Sequence, residues 1–270
     1  ISIETLSTIS HTFQKPGLNK VKLLLSLLAG AVLSSKGDRV ISKKARPIVI
    51  FEDIEARFHP SLLLSFWSLV EAIDFQKIVT TNSGDLLSAM TLYSLRRLHR
   101  RCYDTRSFKV LPNSFSNEEV RRIAFHVRIN RPMSLFARTW LLVEGETEVW
   151  VLSTIASLLG ISLQCDGIRI IEFAQCGLTP LMKLASQLGI EFHVLTDGDE
   201  AGQKYANSVR ARVKANELSR HLTIMPHVDI EHYIYSLGYE DIFKKAAMLP
   251  SGVLKKGINA DKIINMAIKR

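Results

Sequence analysis

Apolar and polar positions divide the chain into two blocks. In the first, residues 21–34 repeat apolar positions at helical spacing. Residues 47–51 then form a short apolar run ending in acids, the mark of a buried strand. A second apolar helix is expected over about 61–73 and a second strand over 77–81. From residue 138 the alternation is more regular. Strands are expected at 138–143, 168–173, 191–196 and 221–225, separated by helices at about 146–159, 178–188 and 200–215. Short buried strands alternating with helices imply crossover connections and a mostly parallel α/β sheet. The tail from about Glu240 reads as further helix. There is no internal repeat and no low-complexity linker.

Composition narrows the class. Of 270 residues, 47% are hydrophobic, enough for one large domain or two modest ones, and too many for a disordered chain. The formal charge of +9 favours a polyanionic partner, either nucleic acid or an acidic membrane surface. Much of that excess lies between residues 91 and 131, densest at Arg96, Arg97, Arg100 and Arg101. This segment is expected to contact phosphates without reading sequence. The longest apolar stretch, residues 21–33, contains Lys22 and falls short of the roughly 20 residues that cross a bilayer. No signal-peptide pattern opens the chain. The three cysteines have no metal-ligand spacing and are expected to be reduced and mostly buried, as in a cytoplasmic protein.

The candidate chemistry is acidic. The strand at 138–143 ends in Glu144-Gly145-Glu146-Thr147-Glu148, and the strand at 191–196 ends in Asp197-Gly198-Asp199-Glu200. Open α/β sheets bind ligands at the carboxyl ends of their strands. Gly145 allows a tight turn, and Glu148 follows Glu144 by about one helical turn. Asp197 and Asp199 flank a glycine, and Asp229-Ile230-Glu231-His232 follows the next strand. So many carboxylates on one edge repel one another unless a cation neutralises them. Oxygen donors without cysteine or converging histidine suit Mg²⁺ or Mn²⁺ rather than zinc. Taken singly, Glu146, Glu200 or Asp229 reads equally well as a helix cap or first-turn charge.

A strand-end Glu, a second Glu four residues later and a later Asp-Gly-Asp resemble the Toprim domain of topoisomerases, primases, recombination mediators and certain nucleases. The wider wording, with Glu172-Phe173-Ala174-Gln175 and Asp197-Gly198-Asp199-Glu200-Ala201-Gly202, is most similar to the overcoming-lysogenization-defect (OLD) family. These nucleases join an ABC-type ATPase to a Toprim domain. The resemblance implies a Rossmann-like, mostly parallel Toprim domain preceded by the carboxyl-terminal portion of an ABC-type ATPase α/β domain.

The first block fits that implication in part. Ile48-Val49-Ile50-Phe51-Glu52-Asp53 is similar to a Walker B strand, and residues 54–60 to the D-loop that follows it. Thr80-Thr81-Asn82-Ser83 stands where such ATPases carry the switch loop. By resemblance, Glu52 supports the Mg²⁺ of ATP, Asp53 orients the attacking water and Asn82 takes the switch position. The acids stand in the order Glu-Asp where Asp-Glu is commoner, and Asn82 replaces a histidine. No Gly-x-x-x-x-Gly-Lys-Ser/Thr loop occurs in the 270 residues, and only a vestige of a signature loop stands at Pro16-Gly17-Leu18-Asn19. The expectation is the carboxyl-terminal part of a longer protein that binds ATP as a homodimer.

The domain boundaries expected are 1–110 for the ATPase portion, 111–137 for a basic helical connector, 138–240 for Toprim and 241–270 for a helical tail. The expected activity is hydrolysis of DNA phosphodiesters with two metal ions, held by Glu144, Glu148, Asp197, Asp199 and Glu231. Glu144 or Glu148 is the alternative general base. The resemblance also implies a late lysine, expected beyond Arg270, with Lys204 as the nearby substitute. His193 is expected in the core; His232 flanks the last acidic motif, and a role in supporting the ligands is the lesser of its two readings. Two other functions fit the same residues: a strand-passage or priming Toprim enzyme, and an ATP-gated DNA clamp that does not cut.

Overall fold

The computed structural model describes residues 48–72, 76–248 and 259–269. The chain forms two compact units, residues 1–91 with 128–133, and residues 92–127 with 134–270.

In the first unit β1 (Ile48–Phe51) pairs in parallel with β2 (Gln76–Val79), and α1 (Pro60–Ala72) lies between them in sequence. The apolar spacing of α1 places Leu63, Phe66, Trp67 and Val70 in a core with Ile54 and Leu86, against which Phe51 and Phe58 pack. Ser83 then caps α2 (Gly84–Ala89), its hydroxyl accepting from the Leu86 amide. The helix expected at 21–34 and the signature-loop vestige at Pro16 lie outside the described residues.

The second unit opens with an antiparallel hairpin, β3 (Arg96–Arg100) and β4 (Thr105–Lys109), followed by α3 (Asn117–Ile123). The hairpin falls within the stretch 1–110 expected to form the first domain. Here the hairpin belongs to the second unit. Four parallel strands follow: β5 (Thr139–Val143), β6 (Ile168–Glu172), β7 (Glu191–Thr196) and β8 (Leu222–Ile224). Their spatial order is β6-β5-β7-β8. Helices α4 (Glu146–Leu158), α5 (Leu178–Leu188) and α6 (Glu200–Arg210) fill the three crossovers, with short α7 (Leu218–His221) before β8. The tail adds α8 (Ile230–Ile234), α9 (Glu240–Ala246) and α10 (Ala260–Ile268).

Trp140, Leu142 and Val143 of β5 are fully buried, as a central strand covered on both faces requires. In α5, Leu181, Leu184, Ala185 and Leu188 turn one apolar face to the core. The chain crosses from β5 to β6 on one side, then back over β5 to β7 and outward to β8 on the other. The topological switch point therefore lies between the carboxyl ends of β5 and β7.

The cysteines differ from expectation. Cys102 and Cys165 are exposed; only Cys176 is buried, and burial pushes its thiol up to about 11. His193 is half-buried rather than a core residue, its Nδ1 donating to the Arg220 carbonyl at 2.9 Å.

Candidate active site

The two main acidic motifs emerge on either side of the switch point. The last β5–β7 pair is Leu142 with Val194, so Glu144 and Thr196 each stand two residues beyond it. The end of β6 braces this turn, with the Phe173 amide donating to the Val143 carbonyl at 2.9 Å and the Ala174 amide to the Glu144 carbonyl at 3.1 Å. Asp197 follows Thr196 directly.

Three of the acids cap helices. Glu148 Oε2 accepts from the Gly145 amide at 3.1 Å at the start of α4. Asp199 caps α6, its Oδ1 accepting from the Gly202 amide at 2.7 Å. Asp229 caps α8, its Oδ1 accepting from the His232 amide at 2.7 Å. Capping stabilises each helix start and accounts for these three acids without any ligand.

Glu144 and Asp197 cap nothing. Glu144 Oε2 is buried with no hydrogen-bond partner among the described residues, and so is Thr196 Oγ1. Burial, then the charges of Asp199 and Glu148, raise the Glu144 carboxyl above its ordinary range. Asp197 is pushed up to about 7, first by burial and then by Glu148, Glu144, Asp229 and Asp199. These two strand-end carboxylates are held where their charge is unfavourable; one oxygen of Glu144 and the neighbouring Thr196 hydroxyl are buried without partners among the described residues. A hard divalent cation supplies what such a set lacks. Among the described residues no three of these side chains already converge as a metal cage. Glu148, Asp199 and Asp229 instead each accept a bond from a backbone amide.

Glycines hold the second motif together. A Cβ on Gly198 would meet the His227 carbonyl oxygen at 2.3 Å and that of Met225 at 2.6 Å, so the loop after β8 lies directly on the Asp-Gly-Asp turn. The Gly198 amide donates to the His227 carbonyl at 2.9 Å.

Residues 135–199 match the family described as the overcoming lysogenization defect protein-like Toprim domain. The chain carries an OLD-like Toprim domain. Toprim domains use divalent metal ions, in keeping with the orphaned oxygens at the switch point. Residues 1–134 match a second family, described as a protein of unknown function, DUF2813. The chain is 44% identical over 267 residues to the uncharacterized protein YbjD of Escherichia coli (strain K12), covering 98% of this chain and 48% of YbjD. The chain thus spans about half the length of that curated relative. Two solved structures are loosely similar. The carboxyl-terminal region of the Burkholderia pseudomallei OLD protein is 17% identical, with a TM-score of 0.42 over 50% of this chain and 82% of its own. That of the Xanthomonas campestris pv. campestris OLD protein is 19% identical, with a TM-score of 0.40 over 50% of this chain and 78% of its own.

Several expected site residues stand elsewhere. Glu231 lies in the first turn of α8, whereas Asp229 is the residue whose charge acts on Asp197. The sequence concealed Asp229 because a strand-to-helix Asp reads as a cap, which it also is. Lys204 is exposed and pairs with Glu200 at 3.0 Å, one turn apart on α6. Arg97 is committed to the fold. Its guanidinium donates to the carbonyls of Leu135 (3.2 Å), Ala137 (2.7 Å), Leu188 (3.0 Å) and Gly189 (3.0 Å), closing the carboxyl end of α5. Arg96, Arg100 and Arg101 remain exposed.

In the first unit, Glu52 and Asp53 are exposed after β1. Asp53 adopts a left-handed conformation (φ 44°), and its amide donates to Thr80 Oγ1 at 3.2 Å. Asn82 is exposed; its amide donates to Glu55 Oε1 at 2.6 Å, and Thr81 Oγ1 donates to Glu55 Oε2 at 2.8 Å. Burial alone would raise the Glu55 carboxyl, but bonds from Asn82, Thr81 and Ser83 hold it below its ordinary value. The sequence reading passed over Glu55. Its only signal was its place in the D-loop-like run.

Proposed function

We propose that this chain is the cleaving half of a metal-dependent DNA endonuclease whose longer form couples cleavage to ATP. The observation that carries the reading is that Glu144 and Asp197, on adjacent parallel strand ends, cap no helix and are held together against their charge. Glu144, Asp197, Asp199 and Asp229, with Glu148 at the turn, would hold Mg²⁺ or Mn²⁺, two ions in the full site. When bound, such ions lower the pKa of a coordinated water and stabilise the charge developing on a phosphodiester.

The chain's own groups do the rest. Asp197 and Asp199 sit across Gly198 and would turn towards one ion. Arg96, Arg100 and Arg101 hold the DNA backbone and offset its repulsion by the acidic edge; Arg97 shapes the surface that carries them. Lys204 and Glu231 have no part in this account. In the longer protein Glu52, Asp53 and Asn82 face ATP at a homodimer interface.

The test uses supercoiled plasmid with Mg²⁺ or Mn²⁺, comparing wild type with Asp197→Ala. Nicked and linear products that disappear in the variant, while DNA binding survives, support the endonuclease. Relaxed topoisomers would instead indicate strand passage. A metal-dependent gel shift with intact plasmid would indicate the clamp.

A further inference from the structure

His232 touches the acidic edge from behind. Its Nδ1 lies 2.6 Å from Asp229 Oδ1 and its Nε2 3.1 Å from Asp261 Oδ1, which joins the start of α8 to the first turn of α10. We infer that His232 is a positioning residue of the acidic edge, fixing Asp229 beside Asp197 with one ring nitrogen and clasping the carboxyl-terminal helix with the other. The inference rests on the metal-site reading above and adds to it a dependence on α10.

Three observations carry it. Both hydrogen bonds from His232 to Asp229, ring and amide, fall on Oδ1, and the loop that leads into Asp229 is tied to the Asp-Gly-Asp turn by the Gly198 amide on the His227 carbonyl at 2.9 Å. The His232 side chain is only 20% exposed and that of Asp229 33%, so this contact is screened less than a surface pair. Finally, α8 runs straight into a π-helical turn, Tyr235–Tyr239, in which Gly238 leaves helical geometry, so little regular helix stands behind its start. It packs on α10, which is anchored by buried Ile263 and Ile264. Asp261 is further fixed through Oδ2, which accepts from Asn259 Nδ2 at 3.0 Å. A carboxylate held by a histidine that is itself held by a second carboxylate is an outer support of the kind that sets ligand direction at metal sites.

Two measurements on the full chain test it: Mn²⁺ affinity by calorimetry, and amide exchange over 260–268 in metal-free protein. His232→Ala is expected to weaken Mn²⁺ binding by about 10–100-fold and to speed exchange in α10. Asp261→Ala, at a side chain 63% exposed and away from the edge, should change both in the same direction, the affinity less. His232→Gln, which keeps one donor, should recover part of the affinity. Folded His232→Ala protein binding Mn²⁺ within about twofold of wild type would overturn the inference, since outer-shell loss costs more. So would Asp261→Ala freeing α10 with unchanged affinity. Absence of Mn²⁺ binding by wild type would sink the metal-site reading instead, and the exchange data would still decide the clasp.

Discussion

Gly202 lies so close to the main chain of Asp197 that a Cβ on it would come within 2.0 Å of the Asp197 carbonyl oxygen. The first turn of α6 therefore packs directly on the strand end that carries the central carboxylate. The same glycine donates its amide to Asp199, so one residue fixes both acids of the motif.

Gly202→Ala should consequently shift Asp197 rather than a flexible side chain. We expect a loss of roughly 1–3 kcal/mol of stability, typical of overpacking, together with at least a tenfold loss in Mn²⁺ affinity from a misplaced ligand. Denaturant unfolding and calorimetry on the same protein check both. Unchanged metal affinity would mean that Asp197 is not a ligand.

Asp197 also makes metal-free stability depend on pH. Its carboxyl moves from an ordinary 3.8 to about 7 on folding. Below 3.8 both states are protonated and nothing is lost. As pH rises from there through about 7, the unfolded chain ionises first and the folded state falls in stability. Thermal melts in chelator should therefore decline over that window. Asp197→Asn, which mimics the protonated form, should melt higher than wild type at pH 8 while losing its Mn²⁺-induced stabilisation. An equal decline in the variant would refute the assignment.

The arginines of β3 should separate into two behaviours. Replacing Arg96, Arg100 and Arg101 with Gln should weaken binding to unrelated duplexes alike. The slope of log affinity against log salt should flatten by up to about 0.9 per lost contact. Arg97→Ala should leave that slope alone and instead cost on the order of 2–3 kcal/mol, since it strips a cation from the carbonyls at the end of α5. A salt slope that responds to Arg97 alone would reverse the assignment.

Glu55→Ala should release the turn after β2. Losing charged hydrogen bonds worth about 1.5–3 kcal/mol should speed exchange of the Asn82 amide by roughly 10–100-fold. Unchanged exchange at Asn82 would show that the turn is held by β2 and α2 alone.

The strands and helices around the site were legible because their signals are local. A continuous apolar run such as Trp140-Leu141-Leu142-Val143 needs only its own residues to declare a buried strand. The acids after it declare a strand end. The sequence alone therefore placed β5 to β8 within a residue or so of their observed positions, and put Glu144 and Asp197 at carboxyl ends. The basic segment was less clear. Alternation in Arg96-Arg97-Leu98-His99-Arg100 is masked by cations on both faces, and the hairpin emerges only where Phe108 and Arg97 meet the end of α5.

Neighbours in space decided the rest. Arg96 and Arg97 are chemically identical in sequence, but strand alternation turns one to solvent and the other onto four carbonyls. Asp229 and Glu231 stand two residues apart; which carboxylate acts on Asp197 depends on how α8 enters its first turn. Glu148, Asp199 and Asp229 cap helices, while Glu144 and Asp197 do not, a distinction created by the helices that begin beside them. The chain by itself determined which acids reach the edge, because strand ends are local. Only the tertiary structure decided which carry unfavourable charge, because burial and repulsion are properties of the assembled site.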